Sequence, residues 1–363
     1  MRSIKIIHFV SGFKDGGVEQ MLLNYTQKLN ENYQIKNIIV YQHDPSIKKI
    51  QIGEKFGDIF YRIPDKEHHP FLNLLETYKI LKKEKPDIVH AHMNLVNFFP
   101  LFVAKRLKVP VRISHSHIAH NNINILLEPL FKKLNIRFAN SLLACGKKAG
   151  EYMYGDKKFK IIYNAIDEKK YSYNEESRKK IRKKNKINES TVLLGTVGKA
   201  NSQKNQKFLV DIFDDYHKIN PDSKLMIIGD GELSLKLDEY IQKKESVKDV
   251  IRIKSIASTS EYYSSFDVFL LPSLYEGLPV SAIEAQASGV LTLLSDSIDK
   301  TTKYTDKTDF ISISSGTSEW VDSIQKDDNS NRNIDLNNQY NINLAYESLY
   351  TYYINRLTEF SND

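Results

Sequence analysis

Residues 4–41 read IKIIHFVSGFKDGGVEQMLLNYTQKLNENYQIKNIIVY, and this stretch decides the fold. Ile4–Val10 is a short β-branched run, Val18–Asn30 carries apolar residues at helical spacing, and Ile35–Tyr41 is a second β-branched run. A strand, a glycine-bearing turn, a helix and another strand form a βαβ crossover, whose strands are parallel. The alternation continues outward. Leu72–Lys85 is expected as a helix, Asp87–Ala91 and Val109–Ser114 as strands, residues 124–138 as helical and Ser141–Cys145 as a strand. Past residues 164–167 and a charged helix the series restarts. Strands are expected at Thr191–Val197, Ser223–Ile228, Val250–Ile253, Val268–Leu271 and Leu291–Ser295, with helices at Asn205–Tyr216 and Leu233–Lys244. The fold class is therefore α/β: two Rossmann-like parallel-sheet domains, 1–165 and 166–342, expected to face a central cleft. A last helix in 343–363 has no strand after it and is free to pack back on the first domain.

Length and charge agree with this and narrow it little further. The 363 residues suit two domains of roughly 150 residues each. One cysteine excludes a disulfide scaffold or a four-cysteine zinc site and points to a reducing, cytoplasmic setting. The apolar run at Ile4–Val10 is too short for a signal peptide, and Ile88–Ala104 carries too many polar residues to span a membrane. The net charge of +7 fits a phosphate-bearing ligand, an anionic membrane surface or nucleic acid. No basic motif interleaved with aromatics argues for nucleic acid.

Three segments carry candidate chemistry. The loop 11–17, with Gly16 and Gly17, opens onto a helix, and free N–H groups there favour an anion. Its counterpart in the second unit, residues 198–205, holds Lys199 and Lys204 at a strand-to-helix turn that suits a diphosphate. The third is LLPSLYEGLPVSAIEA at 270–285. A buried strand ends at Pro272, Glu276 and Gly277 lie in the loop, and Pro279 stands where a first helical residue belongs. Glu276 and Glu284 are placed to hydrogen-bond neighbouring hydroxyls of a ribose and a sugar. Histidines gather at His90, His92, His115, His117 and His120, at spacings odd for zinc, so no metal is expected. His115 and His117 are expected to point to opposite sides of an extended strand, one of them facing the binding site.

The segment PSLYEGLPVSAIEAQASG, with Glu276 and Glu284 in an E-x7-E arrangement, resembles the donor-site signature of family 4 retaining glycosyltransferases of the GT-B fold. GGVEQ at 16–20, VHAH at 89–92, RISHSH at 112–117, YNAID at 163–167 and GDGEL at 229–233 extend the likeness over nearly the whole chain, which is similar above all to bacterial capsular and exopolysaccharide enzymes. The resemblance implies transfer of a sugar from a nucleotide-sugar, UDP-linked, to a glycan or undecaprenyl-linked oligosaccharide acceptor. It implies that Glu284 holds the ribose, that Glu276 with the backbone of Gly277, Leu278 and Pro279 grips the sugar, and that Lys204 with Lys199, helped by Gly16 and Gly17, neutralises the diphosphate. His115 or His117, with His117 preferred, would touch the donor sugar. Retention would follow a front-face route with no metal and no cofactor. The chain departs from the family at Lys199, where arginine is usual, at residues 253–256, which replace a Phe-Leu-Gly strand end beside the nucleobase, and at Gly146, where serine is common.

Leu126, Leu127, Leu130, Phe131, Leu134 and Phe138 share a helical face with Lys132, Lys133 and Arg137 off it, which suits either an anionic membrane or an ordinary core. The former would place the protein peripherally on the inner face of the cell membrane. The basic run Arg178–Lys186 reads as a solvated helix surface. Alternatives are a nucleotide-sugar epimerase of the same fold and a non-enzymatic basic surface-binding protein. A Rossmann dehydrogenase is disfavoured, since neither unit has a G-x-G-x-x-G fingerprint.

Overall fold

The computed structural model describes residues 3–14, 16–120, 127–254, 256, 258–325, 332–335 and 337–360. Among them the chain divides into two compact units, Met1–Ile166 with Gln339–Asp363, and Asp167–Asn338.

The first unit is a seven-stranded, all-parallel sheet. Its strands are β1 (Ile4–Phe9), β2 (Ile35–Tyr41), β3 (Ile59–Arg62), β4 (Ile88–Ala91), β5 (Val111–Ser116), β6 (Ser141–Ala144) and β7 (Lys160–Ile161). They lie in the order β3-β2-β1-β4-β5-β6-β7. Ile6, Ile7, Ile38, Ile39, Ile88, Val89 and Ile113 are fully buried, as strands covered on both faces require. Each such side chain stabilises by roughly 1.5–3 kcal/mol. The last helix, Ile342–Phe360, joins this unit and sets Ile342, Leu349 and Tyr353 against Ile6, Tyr25, Ile88 and Ile113.

The second unit has six parallel strands: β8 (Val192–Val197), β9 (Ser223–Ile228), β10 (Val250–Ile253), β11 (Val268–Leu271), β12 (Leu291–Ser295) and β13 (Thr308–Ile311). Their order is β10-β9-β8-β11-β12-β13. In each sheet the order reverses at one point, between β1 and β4 and between β8 and β11, and a crevice opens there at the strand C-terminal ends.

The sequence reading missed several short or weakly apolar elements. These include β3 with the helix Ile47–Lys55 before it, β13, and the helices Phe98–Arg106 and Lys147–Tyr154. Gly146 precedes the last of these as its cap, with no side chain to offer. The helix expected over 124–138 runs Glu128–Phe138, and residues 124–126, including Leu126, lie outside the described residues, as do Asp15 and Ser255.

The solvated reading of Arg178–Lys186 is corrected. Arg178 and Arg182, one turn apart on the helix Glu175–Lys184, share a face that packs inward. Arg182 is completely buried, and both guanidiniums bond Asp267 and the Ser265 carbonyl. Arg182 also donates to the Asn188 and Thr191 carbonyls. Asp267 in turn accepts from the Leu193 N–H at 2.7 Å, which ties helix to sheet.

Candidate functional site

In the second unit the loops after β8 and β11 meet at the switch point. Residues 198–205 leave β8 and enter the helix Gln206–Ile219, with Asn205 left-handed at φ 51° to make the turn. Gly229 and Gly231 press on this loop, where a Cβ on either would run into the Gly198 or Ala200 carbonyl. Lys204 Nζ reaches Glu276 Oε1 at 2.6 Å. Gln203 Nε2 donates to Glu276 Oε2 at 2.9 Å, and Ser273 Oγ donates to Glu276 Oε1 at 2.9 Å. Leu274 N–H closes the join on the Gln203 carbonyl at 2.8 Å. Glu276 is 6% exposed, so its charge is stabilised by these three partners rather than by water.

Pro279 precedes the helix Val280–Ala287 and is not its first residue, which corrects the expectation. Its carbonyl accepts from Ala282 N–H, and residues 276–279 are all buried. Glu284, in the middle of that helix, accepts from Tyr263 Oη at 2.6 Å and also hydrogen-bonds Tyr171. Burial first, and then the Glu284 charge, pushes both phenols well above their usual range. Glu284 is therefore held in one place by two phenols, its carboxyl oxygens set to accept from a vicinal diol.

Lys199 is not brought to this cluster. It is exposed and pairs with Glu232 at 3.1 Å, also exposed. Lys254, in the departing segment after β10, pairs with Asp238 at 3.3 Å.

In the first unit Gly16 caps the helix Gly17–Asn32. The Glu19 carboxylate folds over Gly16, so that a Cβ there would strike it. An acid side chain thus already occupies the anion-favouring helix start.

The histidines form a buried row at the other switch point. His8 lies on β1, His90 on β4 with His92 just after it, and His115 on β5 with His117 just after it. All five are at most 6% exposed. His120 is exposed and outside the row. The expected divergence of His115 and His117 is wrong: their rings are 4.1 Å apart between centroids. Residues i and i+2 of a strand share a face.

Hydrogen bonds fix the tautomers along this row. Asn30 Nδ2 donates to the Phe56 carbonyl and to Asp58, so Asn30 Oδ1 accepts from Asn37 Nδ2 at 2.8 Å. Asn37 Oδ1 then faces His8 Nε2 at 3.0 Å and accepts a hydrogen bond from its N–H. His8 Nδ1 is left with a lone pair for His92 Nε2–H at 3.2 Å, and His92 Nδ1 presents a lone pair to His117 Nε2 at 3.0 Å. The assignment requires neutral rings. Burial supplies that: it lowers His8 to about 4, against the opposing Asn37 bond, lowers His117 to about 3, and holds His90, His92 and His115 well below the usual range. A second branch runs from Tyr353 Oη to His90 Nδ1 at 2.8 Å and from His90 Nε2 to His115 Nδ1 at 3.1 Å.

Sequence reasoning missed Gln203, Ser273, Tyr171, Tyr263, Asn37 and the part played by His8. His8, a polar residue among the buried residues of β1, was a usable signal; the others had none before the fold was known.

Residues 15–170 match the family described as Glycosyltransferase Family 4, and residues 177–324 match Glycosyl transferases group 1. The Bacillus subtilis protein EpsF, named as a glycosyltransferase, is 28% identical over 340 residues, 89% of this chain and 87% of that one. The Escherichia coli UDP-Gal:alpha-D-GlcNAc-diphosphoundecaprenol alpha-1,3-galactosyltransferase is 27% identical over 62% of this chain and 61% of its own. Among solved structures, Anabaena HepE in complex with UDP and glucose superposes with a TM-score of 0.77 at 14% identity, over 99% of this chain and 98% of that one. That likeness establishes the fold.

Proposed function

From the premise that this chain belongs to the family 4 glycosyltransferases of GT-B fold, matched by family models over both halves, we propose that it moves a sugar, with retention of configuration, from a UDP-sugar to a lipid-linked glycan acceptor in bacterial surface-polysaccharide assembly. The observation that carries this is the Lys204–Glu276 pair at the second sheet's switch point, in which half-buried Lys204 and Gln203 and buried Ser273 hold the buried carboxylate. The UDP and UDP-linked sugar in the names of HepE and of the E. coli relative, and the diphosphoundecaprenol acceptor of the latter, support the donor and acceptor classes.

Glu284, steadied by Tyr263 and Tyr171, takes the ribose hydroxyls. Glu276 and the backbone of Gly277, Leu278 and Pro279 take the sugar. The Lys204 ammonium lies against Glu276 and is shared with the diphosphate as the donor arrives; Lys199 adds long-range attraction, and Gly16 and Gly17 offer backbone N–H groups once the Glu19 carboxylate is displaced from that helix start. The glycosidic C–O bond breaks with its electron pair going to the diphosphate oxygen. The acceptor hydroxyl bonds the same face of the carbon and gives its proton to that oxygen. The lysine charge stabilises the leaving group, so no metal is required. His117, its Nε2–H committed to His92 and the Asn164 side chain beside its ring, borders the sugar, and His115 backs it.

The test uses UDP with EDTA present, followed by a panel of UDP- and GDP-sugars scored for nucleotide release. UDP is expected to raise the melting temperature without metal. Lys204→Met and Glu276→Gln are expected to lower kcat/KM by about 10²–10³-fold, the scale of one lost electrostatic contact to developing charge. Stabilisation only with added Mg²⁺, or full activity in either variant, overturns the assignment.

Peripheral attachment finds better support outside the helix expected to carry it. On Glu128–Phe138, Phe131 and Phe138 pack on Phe98 and Phe102, the core-facing alternative. The helix Pro70–Glu84 instead exposes Phe71 (85%), Leu72, Leu75 and Tyr78 beside Lys79, Lys82 and Lys83. Among the described residues no helix is long and apolar enough to cross a membrane, and this face suits an anionic surface. Phe71→Asp with Leu75→Asp is expected to abolish flotation with phosphatidylglycerol vesicles; unchanged flotation refutes it.

A further inference from the structure

We propose that Lys66 of the first unit binds the diphosphate that joins a glycan acceptor to its lipid. Lys66 stands in the loop between β3 and the helix Pro70–Glu84, followed by Glu67, His68 and His69, which are all exposed. Lys66 instead turns inward and is 9% exposed. The loop is built to hold it so. Asn73 Nδ2 donates to the Pro64 carbonyl at 2.6 Å, and the His69 N–H donates to the Asp65 carbonyl at 3.0 Å. The Lys66 N–H donates to Gln42 Oε1 at 3.1 Å. Gln42, just past β2, is itself oriented by Nε2 on Met93 Sδ at 3.0 Å and by its N–H on the Ser11 carbonyl at 3.2 Å.

What the ammonium lacks is a counter-charge. Among the described residues its single hydrogen-bond acceptor is that same amide oxygen, 3.4 Å from Nζ. The neighbouring acid is spent elsewhere: Asp65 Oδ1 accepts from the His68 ring at 2.8 Å and from the Glu67 and His68 N–H groups. Burial accordingly lowers the Lys66 pKa, against the weaker pull of Glu67 and Asp65. A charge stripped of water and left with one long contact to a neutral amide is a net cost. An arriving phosphate removes that cost, since it brings both oxygen acceptors and negative charge. The place says which phosphate. Gln42, Lys66 and Met93 follow β2, β3 and β4, at the strand C-terminal edge where the histidine row lies, and Met93 is the residue after His92. Directly after the loop the helix Pro70–Glu84 begins, with no acid in its first turn and with Phe71 and Leu72 exposed. A recessed cation followed by exposed apolar side chains suits an amphiphile whose anionic group joins a sugar to a hydrocarbon chain. The choice of a lipid-linked acceptor rests on the transfer reading; the cation site does not.

The test reads binding without turnover. Farnesyl diphosphate, kept below its micelle concentration, is titrated into the full chain by calorimetry, without UDP and with saturating UDP to fill the second unit's diphosphate site. Farnesol and inorganic pyrophosphate are titrated beside it. Farnesyl diphosphate is expected to bind in both conditions and more tightly than either comparison ligand. Lys66→Met is expected to weaken it more than tenfold, the scale of a lost hydrogen bond to a charged group, while Lys66→Arg keeps the larger part of the affinity. UDP affinity of Lys66→Met is expected to match the wild type, and its melting temperature to match or exceed it, since a poorly compensated buried charge has gone. If Lys66→Met fails to fold, acetylation of the wild type read by mass spectrometry decides: farnesyl diphosphate should protect the Lys66 amine and farnesol should not. No binding of farnesyl diphosphate, equal affinity for pyrophosphate, undiminished binding in Lys66→Met, or an equal loss of UDP affinity overturns the site. If UDP itself fails to bind, the transfer reading falls, while the dependence on Lys66 measured without UDP still stands.

Discussion

At its switch point the first unit gathers five imidazoles, all neutral, joined to one another and to Asn37 and Tyr353. At its own the second unit gathers full charges, Lys204 on Glu276, with Arg178 and Arg182 on Asp267 deeper in the same unit. Both switch points bury polar groups where parallel strands end, and Asp267 does so where β11 begins; the two units solve the desolvation problem in opposite ways. The first unit sheds the charge, at the expense of basicity in each ring. The second keeps charge and must satisfy every lone pair around it. A neutral row can be retuned by a proton, whereas a charged clasp responds to an incoming anion. The two halves should therefore fail under different insults.

The sharpest way to break the comparison is to remove charge from the second unit. Arg182→Ala leaves Asp267 buried beside Arg178 alone and strands the carbonyls of Asn188 and Thr191. A loss of about 3–5 kcal/mol is expected, the usual result of unmaking a buried pair. Urea unfolding followed by hydrogen exchange should show the second unit melting first while β1 to β7 stay protected. Uniform loss across both units would mean that the chain unfolds as one body and that the electrostatic division is not felt in stability.

Acid tests the first unit. His8, His90, His92, His115 and His117 have folded pKa values below the unfolded value near 6.5, so the unfolded state binds more protons between the two. Stability is complete above about 6.5 and is lost as pH falls toward 4 for His8 and toward 3 for His117. Each unit of depression is worth about 1.4 kcal/mol. Asp58 opposes this. Burial raises it to about 6, against hydrogen bonds from Thr26 and Asn30, so it gains stability as pH falls from about 6 toward its unfolded value. Five rings against one carboxyl leave a net loss. The melting temperature of the first unit should drop between pH 6.5 and 4; a flat profile would show that the rings are solvated.

How much of this was legible in the sequence differs between the halves for the same reason. The second unit's site is written in two short contiguous runs, 198–205 and 270–285, so Lys204, Glu276 and Glu284 could be placed before any coordinates. Their supports could not. Gln203 and Ser273 matter through loop geometry, and Tyr263 is 21 residues from Glu284. The histidine row is assembled from β1, β4 and β5 across intervals of up to 84 residues, and only strand order brings it together. The alternation rule, applied correctly, would have put His115 and His117 on one face. Arg178 and Arg182 misled because seven basic residues in nine look like a surface, while two of them tie the helix to Asp267.

The smallest expected effect comes from a contrast inside the second unit. Lys199 and Lys204 lie five residues apart on one loop, and composition treats them alike. The Lys204 side chain is 14% exposed and set against buried Glu276, whereas Lys199 is 62% exposed and meets Glu232 in water. An exposed pair contributes roughly 0–1 kcal/mol and is screened by salt. Lys199→Ala should therefore leave the melting temperature within error and weaken UDP binding only severalfold, by an amount that shrinks as ionic strength rises. Lys204→Met should lose affinity at every ionic strength, because its partner is shielded from counterions. Isothermal titration with UDP at low and high salt separates the two. If Lys199→Ala proved as damaging as Lys204→Met at high salt, the loop would have to close on the diphosphate with both lysines. The charge that defines this half would then be made by the ligand and not held ready for it.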